Sequence, residues 1–505
     1  MPARRRVLEF RAPGSHYSSP ITGFYMDSMI ERLGEYAANL RYRDLTPEAV
    51  HEGKRRLIDA LGCLVGGFDA IPTAIARTLA RRRKGSPSAR ILGTRERTSP
   101  DLAAFANGTA MRYLDFNDAY FMRASGHPSD TFAAVLAAAD AAHADGRAVM
   151  TAAAAAYEAY CGISDAVNRE QGWDHSVQAV IGSAVGAGRI LGLKRKAMGN
   201  AISLAIIPNM ALEQTRTGEL AMWKGVAGPN AARNGVFAAE LAHEGMTGPE
   251  QAIEGKWGLW HALGKFDWEP FGGRGGPFRL TTTLLKYFPS VIHSQSPITA
   301  ALELNEMVDP EDIEAVAIES YWVAGRFVDR KNPLWHPATR ETADHSIPYC
   351  VVAALLDGKI TERSFSARRI RDPRLVALLE RTTIRENPEY SRLHPHEWPC
   401  RIELALRGGK KEIVETRYFK GHPKRPLTDA EVEIKFRSLA EKALGTKRAD
   451  AFLAKAWRLE KLADIGELLG LLEIRAAKRP PQTKKAKTLN HSLAATTPRR
   501  VSPRP

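Results

Sequence analysis

Two long stretches of this chain consist almost entirely of small apolar residues, and they limit its fold more than any other feature. Residues 131–165 and 177–206 are strings of Ala, Gly, Val, Ile and Leu with few charges. A helix that is apolar on all sides belongs in a protein interior, and helices without bulky side chains pack with their backbones close together. The two stretches predict buried helices at the centre of an all-helical domain.

Helical patterns also occupy the segments around this centre. From Met29 to Leu64 apolar residues recur every three or four positions, with a helix start at residues 46–48. Further helices are predicted at 72–83, 99–114 and 230–241. At 505 residues the chain is too long for one ordinary core, so we expect at least two domains.

The pattern changes near residue 280. Residues 280–425 mix β-like runs with helices and many prolines, which predicts a smaller α/β domain. The runs are 315–318, 400–404 and 414–418. A helix that begins at Thr428 and breaks at Gly445 is predicted to return to the first domain. The predicted divisions are therefore residues 21–279, 280–425 and 426–475.

The net charge of +15 lies mainly at the two ends of the chain. Residues 478–505 hold eight Lys or Arg and no acid, and residues 1–20 hold four Arg and one Glu, which leaves about +4 between them. We predict a disordered basic leader at 1–20 and a disordered basic tail at 476–505. The body has no basic stripe interleaved with aromatic residues, so no specific nucleic-acid partner is expected. No window approaches the roughly 18 apolar residues of a membrane span, and no secretion signal is visible, so no membrane partner is expected either.

The sequence gives no sign of a metal centre or a nucleotide cofactor. An iron–sulfur cluster needs grouped thiolates, and the four cysteines lie far apart. They are Cys63, Cys161, Cys350 and Cys400. His394 and His396 have no further ligand nearby, and no phosphate-binding glycine loop follows a strand. We therefore expect no cofactor.

The densest group of charged residues lies between Arg112 and Asp130. Three aspartates, two arginines and His127 fall within this stretch, where a Gly-His-Pro-Ser turn precedes an alanine-rich helix. A helix N-terminus attracts anions, which would place an anion beside a histidine that titrates near neutrality. A capped helix start with a solvated acidic loop is the alternative interpretation.

Other isolated polar residues stand in apolar surroundings. His175 opens an apolar helix, and Lys224 lies among small residues, where a lysine needs an anionic partner. Lys286 lies at the predicted domain boundary, and His345 and Tyr349 belong to a polar group that opens a helix. The alternatives are structural histidines and an exposed lysine at a helix end.

Together these residue types suit a small polycarboxylate. Removing a proton from a carbon beside a carboxylate builds negative charge, which fixed ammonium or guanidinium groups stabilise. A second group of near-neutral pKa then protonates the leaving hydroxyl. The residues thus describe a cofactor-free dehydratase.

The same residues belong to a series of motifs that resembles the MmgE/PrpD family across roughly residues 29–475. The motifs are RYLDFND with GHPSD, MWKG with AARNG, LKYFP with HSQ, and RETADHSIPY with LLDG. The resemblance implies a mainly α fold, in which a large all-helical domain carries a smaller α/β lid domain inserted before the C-terminal helices. It also implies a cytoplasmic homodimer that dehydrates 2-methylcitrate, a small tricarboxylate, in propionate breakdown without an iron–sulfur cluster.

Family members place the active site between the two domains, and the motifs carry its residues onto this chain. We expect His127 and His175 to transfer protons, with Asp115 and Tyr349 orienting the substrate or tuning a histidine. Lys224 and Lys286 are expected to hold substrate carboxylates. On chemical grounds Arg112 and His345 join them as substrate-binding residues.

The family does not fix the reaction, since it also contains cis-aconitate decarboxylases and an iminodisuccinate epimerase. All three reactions need proton transfer at a carbon flanked by carboxylates. The GHPSD and MWKG forms favour the dehydratase. A helical scaffold whose basic tails bind nucleic acid is a remote alternative, and it predicts that removal of residues 478–505 abolishes function.

Overall fold

The structure is a computed structural model that describes residues 26–168, 172–267, 270–274 and 276–474. The leader predicted at 1–20 and the tail predicted at 476–505 lie outside the described residues. The expectations for both segments therefore stay predictions.

Helices form most of the described chain, which confirms the prediction of a mainly α protein. The helices are α1 (Ser28–Asn39), α2 (Pro47–Gly66), α3 (Ile71–Arg81), α4 (Pro100–Tyr113), α5 (Phe132–Ala142), α6 (Gly146–Ala166), α7 (Ser176–Ile190), α8 (Arg195–Ile206), α9 (Ala227–His243), α10 (Leu259–Leu263), α11 (Gln295–Met307), α12 (Arg340–Ala343), α13 (Ile347–Asp357), α14 (Ala367–Ile370), α15 (Pro373–Glu380), α16 (Pro388–Leu393), α17 (Asp429–Leu444), α18 (Thr446–Ala456) and α19 (Gly466–Leu469). Several begin at a side chain that accepts a backbone hydrogen bond, among them Asp27, Thr46 and Asp145.

The alanine-rich helices lie at the centre of the larger hydrophobic core. Helix α7 packs against both α6 and α9, and its residues 176–188 are all buried. A Cβ on Gly235 of α9 would lie 2.5 Å from the Cβ of Ser183 in α7. A Cβ on Gly182 would lie 2.8 Å from the carbonyl oxygen of Ala156 in α6. Small residues thus allow the close backbone contact expected from the sequence.

The strands are short except in one sheet. They are β1 (Ala89–Arg90), β2 (Arg97–Thr98), β3 (Tyr120–Phe121), β4 (Ser125–Gly126), β5 (Ile313–Ser320), β6 (Thr382–Glu386), β7 (Cys400–Leu406) and β8 (Lys411–Thr416). The sheet has the order β6-β5-β7-β8, in which β5 and β6 run parallel and the other pairs antiparallel. Together with α11, α13 and α15 it encloses a second hydrophobic core.

The last helices pack on the larger core. Helix α17 packs on α2, and the ring of Phe436 stacks on Phe452 of α18 at 4.5 Å. Lys435 Nζ lies 2.5 Å from Asp59 of α2 and donates hydrogen bonds of 2.7 Å to the carbonyl oxygens of Phe116 and Lys286. This lysine ties α17 to the two chain segments that carry the site.

Among the described residues, no single helix has the length and apolar character to cross a membrane. Helices α2 and α3 meet the requirement only as a pair bent by 93°, and only by length and composition.

Candidate active site

The site is organised around Asp115, which follows the end of α4. Its backbone φ is +50°, a left-handed conformation that Asp and Asn adopt more readily than most residues, and its side chain is 1% exposed. Asp118 and Asp130 are buried as well. The alternative of a solvated acidic loop is therefore wrong.

Three cations surround the Asp115 carboxylate. Arg112 Nη1 donates to Oδ1, Lys286 Nζ lies 3.1 Å from Oδ1, and Lys224 Nζ lies 3.6 Å from Oδ2. Burial opposes ionisation of Asp115, but these cations hold the pKa of its carboxyl well below the usual range. Burial in turn lowers the pKa of each lysine to about 8 in spite of the nearby carboxylate. Because Lys224 is buried, its interpretation as an exposed lysine is wrong.

His127 lies beside this cluster with a defined tautomer. Its Nδ1 is 2.7 Å from the carbonyl oxygen of Asp118, which only accepts, so Nδ1 carries the proton. Its Nε2 accepts a hydrogen bond of 2.7 Å from Arg112 Nη2. Burial, together with the charge of Arg112, holds the pKa of His127 well below its usual value. His127 is therefore a neutral imidazole with a lone pair on Nε2.

His175 packs against His127, with 5.4 Å between the ring centroids. Gly126 permits this approach, because a Cβ there would lie 1.9 Å from the Tyr160 hydroxyl oxygen and 2.9 Å from the Cβ of His175. Arg216 Nη2 donates to His175 Nε2 over 2.6 Å, and Arg216 Nε lies 2.5 Å from Oδ2 of Asp174. The sequence argument missed Arg216, since no motif links it to a histidine 41 residues earlier.

His345 approaches the cluster from the segment that begins α13. Its Nε2 lies 3.5 Å from Asp115 Oδ2, while its Nδ1 donates to Asp344. Burial and the charge of Lys224 lower the pKa of His345 to about 4, so it is neutral. Asp115, Asp344 and His345 bring possible metal-ligand atoms within 4.8 Å of one another. The ammonium groups of Lys224 and Lys286 already balance the charge of the Asp115 carboxylate. These three residues are therefore a poor site for a metal cation.

One cavity of about 860 Å³ brings the main groups together, and residues of both hydrophobic cores contribute to its lining. The groups that line it are Arg112, Asp115, His127, His175, Arg216, Lys224, Lys286 and His345. Six of its lining residues are Lys or Arg, and two are Asp or Glu. Those not described above are Arg123, Arg326 and Glu213. The excess of positive charge suits a ligand with several carboxylates.

Comparison with known proteins agrees with this geometry. The MmgE/PrpD N-terminal domain model matches residues 31–270, and the MmgE/PrpD C-terminal domain model matches residues 288–461. The chain belongs to the MmgE/PrpD family. This confirms the family that the sequence motifs indicate.

Several MmgE/PrpD relatives carry the name of one lyase. A 2-methylcitrate dehydratase of Cupriavidus necator is 30% identical over 462 residues, which is 85% of this chain and 93% of the relative. The 2-methylcitrate dehydratase of Escherichia coli strain K12 is 31% identical over 401 residues, 73% and 81% of the two chains. A mitochondrial 2-methylcitrate dehydratase of Yarrowia lipolytica is 28% identical over 439 residues, 79% and 81%.

The structure brings together seven of the eight site residues predicted for this MmgE/PrpD chain. The seven are Arg112, Asp115, His127, His175, Lys224, Lys286 and His345. Tyr349 is the exception, because it is fully buried and does not line the cavity. Its hydroxyl donates to the carbonyl oxygen of Ser364 over 2.6 Å, and its ring lies 6.0 Å from that of Phe365. The assignment of Tyr349 to the site is therefore corrected: in this structure it is a core residue.

Proposed function

We propose that this protein is a metal-independent hydro-lyase that removes water from 2-methylcitrate to give 2-methyl-aconitate in propionate catabolism. The names of the relatives support this proposal. The observation that carries it is the buried cluster of Arg112, Lys224 and Lys286 beside a neutral His127 in one cavity.

His127 is the proposed base. The reaction breaks the C–H bond at the carbon that bears the methyl group and the C–O bond at its neighbour, and the double bond forms between them. The Nε2 lone pair of His127 takes the proton, while negative charge grows on the adjacent carboxylate. Arg112 is already at Nε2, so the same guanidinium is placed to bind that carboxylate.

Lys224 is the proposed proton donor to the leaving hydroxyl. With a pKa of about 8 it carries a proton at neutral pH and still releases it readily. Lys286 is held more firmly, because its Nζ donates to the Asp115 carbonyl oxygen over 2.7 Å and also contacts the carboxylate. We assign Lys286 to the binding of one substrate carboxylate. We place His175 and Arg216 against the other side of the substrate, where Arg216 is a carboxylate partner.

The predicted division of the chain fits this role. We propose that residues 280–425, which contain the four-stranded sheet, form a lid domain over the cavity, since His345 comes from this part of the chain. The homodimer and the cytoplasmic location expected from the family remain predictions.

The test is a substrate assay with purified protein. Incubation with 2-methylcitrate should produce an unsaturated product that is detected by ultraviolet absorbance, and prior treatment with a chelator should leave the rate unchanged. Citrate, cis-aconitate and iminodisuccinate serve as competing candidates. Release of carbon dioxide from cis-aconitate would favour a decarboxylase, and isomerisation of iminodisuccinate without loss of water would favour an epimerase.

Variants connect the activity to the site. His127→Ala and Lys224→Ala should each lower kcat by roughly 10²–10⁴-fold while the protein stays folded. His243→Ala, at an exposed histidine at the end of α9, is the matched control and should keep full activity. Removal of residues 478–505 should also leave turnover unchanged, whereas the scaffold alternative requires a loss of function.

A further inference from the structure

A second part of the cavity is built from aromatic rings. Phe121, His293, Trp322 and His394 all line it, and we call these four residues the ring wall. The ring centroids of Phe121 and His293 are 5.0 Å apart, those of His293 and Trp322 are 5.5 Å apart, and those of Trp322 and His394 are 5.7 Å apart. These spacings are typical of edge-to-face aromatic contacts, so the four rings form a continuous surface.

The two histidines of the ring wall are uncharged. His293 Nδ1 lies 2.6 Å from the Tyr321 hydroxyl, and His394 stacks on the Tyr321 ring at 4.2 Å while accepting a hydrogen bond of 3.2 Å from Trp322 Nε1. Burial lowers the pKa of His394 to about 3 and holds the pKa of His293 well below its usual value. Neutral rings do not attract carboxylates as the cations Arg112, Lys224 and Lys286 do. The guanidinium carbon of Arg326, a cation that also lines the cavity, lies 5.6 Å from the centroid of the Trp322 ring.

The cavity is also larger than a small tricarboxylate requires. Its volume of about 860 Å³ is near the upper end of the roughly 300–1,000 Å³ that encloses drug-sized ligands. Met122 and Leu334 add apolar surface next to the ring wall. In the proposed reaction the substrate carboxylates have their partners at Arg112, Lys286 and Arg216, so the ring wall is left for another part of the ligand.

We infer that the ring wall is a specificity pocket for an apolar substituent larger than methyl, on the carbon that bears the methyl group in 2-methylcitrate. This inference rests on the proposed function. The preferred substrates are 2-alkyl or 2-arylalkyl citrates. They lose water by removal of a proton and a hydroxyl group from the same two carbons as in 2-methylcitrate. Each methylene that leaves water against the rings should raise kcat/KM by roughly fourfold until the wall is covered.

The experiment compares 2-methylcitrate with 2-ethyl-, 2-butyl- and 2-benzylcitrate by the absorbance of the unsaturated product. The expected result is a higher kcat/KM for butyl and benzyl than for methyl. A kcat/KM for butyl and benzyl that is equal to or lower than that for methyl would overturn the inference and leave the proposed function intact. Absence of water loss from every citrate would overturn the proposed function, and the inference with it.

Two variants and a control locate the effect. Trp322→Ala should lower the ratio of kcat/KM for butyl over methyl by roughly tenfold, since it removes a large part of the wall. His394→Phe should keep that ratio within twofold, because a phenyl ring retains the stack on Tyr321. A tenfold fall of the ratio in His394→Phe would show recognition of a polar group and overturn the inference. Trp257→Ala, at an exposed tryptophan that does not line the cavity, is the matched control and should leave the ratio unchanged.

Discussion

Arg216 donates a hydrogen bond of 2.6 Å from Nη2 to Nε2 of His175. The same relationship recurs between Arg112 and His127, where the distance is 2.7 Å. In the second pair, burial and the charge of Arg112 hold the pKa of His127 well below its usual value. A substrate carboxylate that binds the guanidinium would therefore be placed directly beside a neutral base.

The first prediction concerns Arg216. Arg216→Ala should lower kcat/KM for 2-methylcitrate by roughly 10²-fold, because it removes a carboxylate partner and leaves His175 unsupported. Arg216→Lys should restore only part of the loss, since an ammonium group lacks the planar fork that reaches Asp174 and His175 together. Steady-state kinetics check both variants. Arg82→Ala, at an exposed arginine after α3, is the control, and an equal loss there would refute the assignment.

The second prediction is the pH dependence of kcat. Burial lowers the pKa of Lys224 to about 8, so its ammonium group keeps its proton below that pH and loses it above. We expect kcat to fall about tenfold per pH unit above pH 8. Because the pKa of His127 is held below its usual value, the acid limb should lie below pH 6.5. A rate that stays constant to pH 9.5, with full recovery of folded protein, contradicts this role of Lys224.

The third prediction concerns stability. Asp115→Asn keeps the shape of the side chain and tolerates the left-handed backbone, but it leaves Arg112, Lys224 and Lys286 without their shared carboxylate. The free energy of unfolding should fall by about 3–5 kcal/mol, as is usual when one partner of a buried ion pair is removed. Urea denaturation measures the change. Glu303→Gln, at an exposed carboxylate of α11, should change it by less than about 0.5 kcal/mol.

The fourth prediction concerns Tyr349. Tyr349→Phe should leave kcat within twofold of the wild type and cost about 1 kcal/mol of stability, because it removes one buried hydrogen bond to Ser364. Tyr160→Phe is the contrasting variant, since the Tyr160 hydroxyl accepts a hydrogen bond of 2.8 Å from the backbone N–H of His127 and lies 3.3 Å from His175 Nδ1. It should lower kcat. A tenfold loss in Tyr349→Phe would return that residue to the site.

Local sequence pattern determined the helical centre of this protein and singled out seven of the residues that line the cavity. Small apolar residues at 131–165 and 177–206 require burial wherever they occur, so their place did not depend on distant partners. His127 and Lys224 stood out because polar groups in apolar surroundings need a partner. Strand β6 escaped prediction because it is an edge strand whose sequence, TTIRE, is mostly polar and partly exposed.

Only the tertiary structure decided which of these residues meet and what charge they carry. Tyr349 and His345 are four residues apart in sequence, but Tyr349 is packed in the second core and His345 lines the cavity. The spacing of one helical turn does not place them on one face, because α13 begins only at Ile347 and His345 lies in the turn before it. Arg216 joined the site through folding alone. The protonation states of His127, Lys224 and Lys286 depend on burial and on charges far away in sequence, and neither quantity exists before the chain has folded.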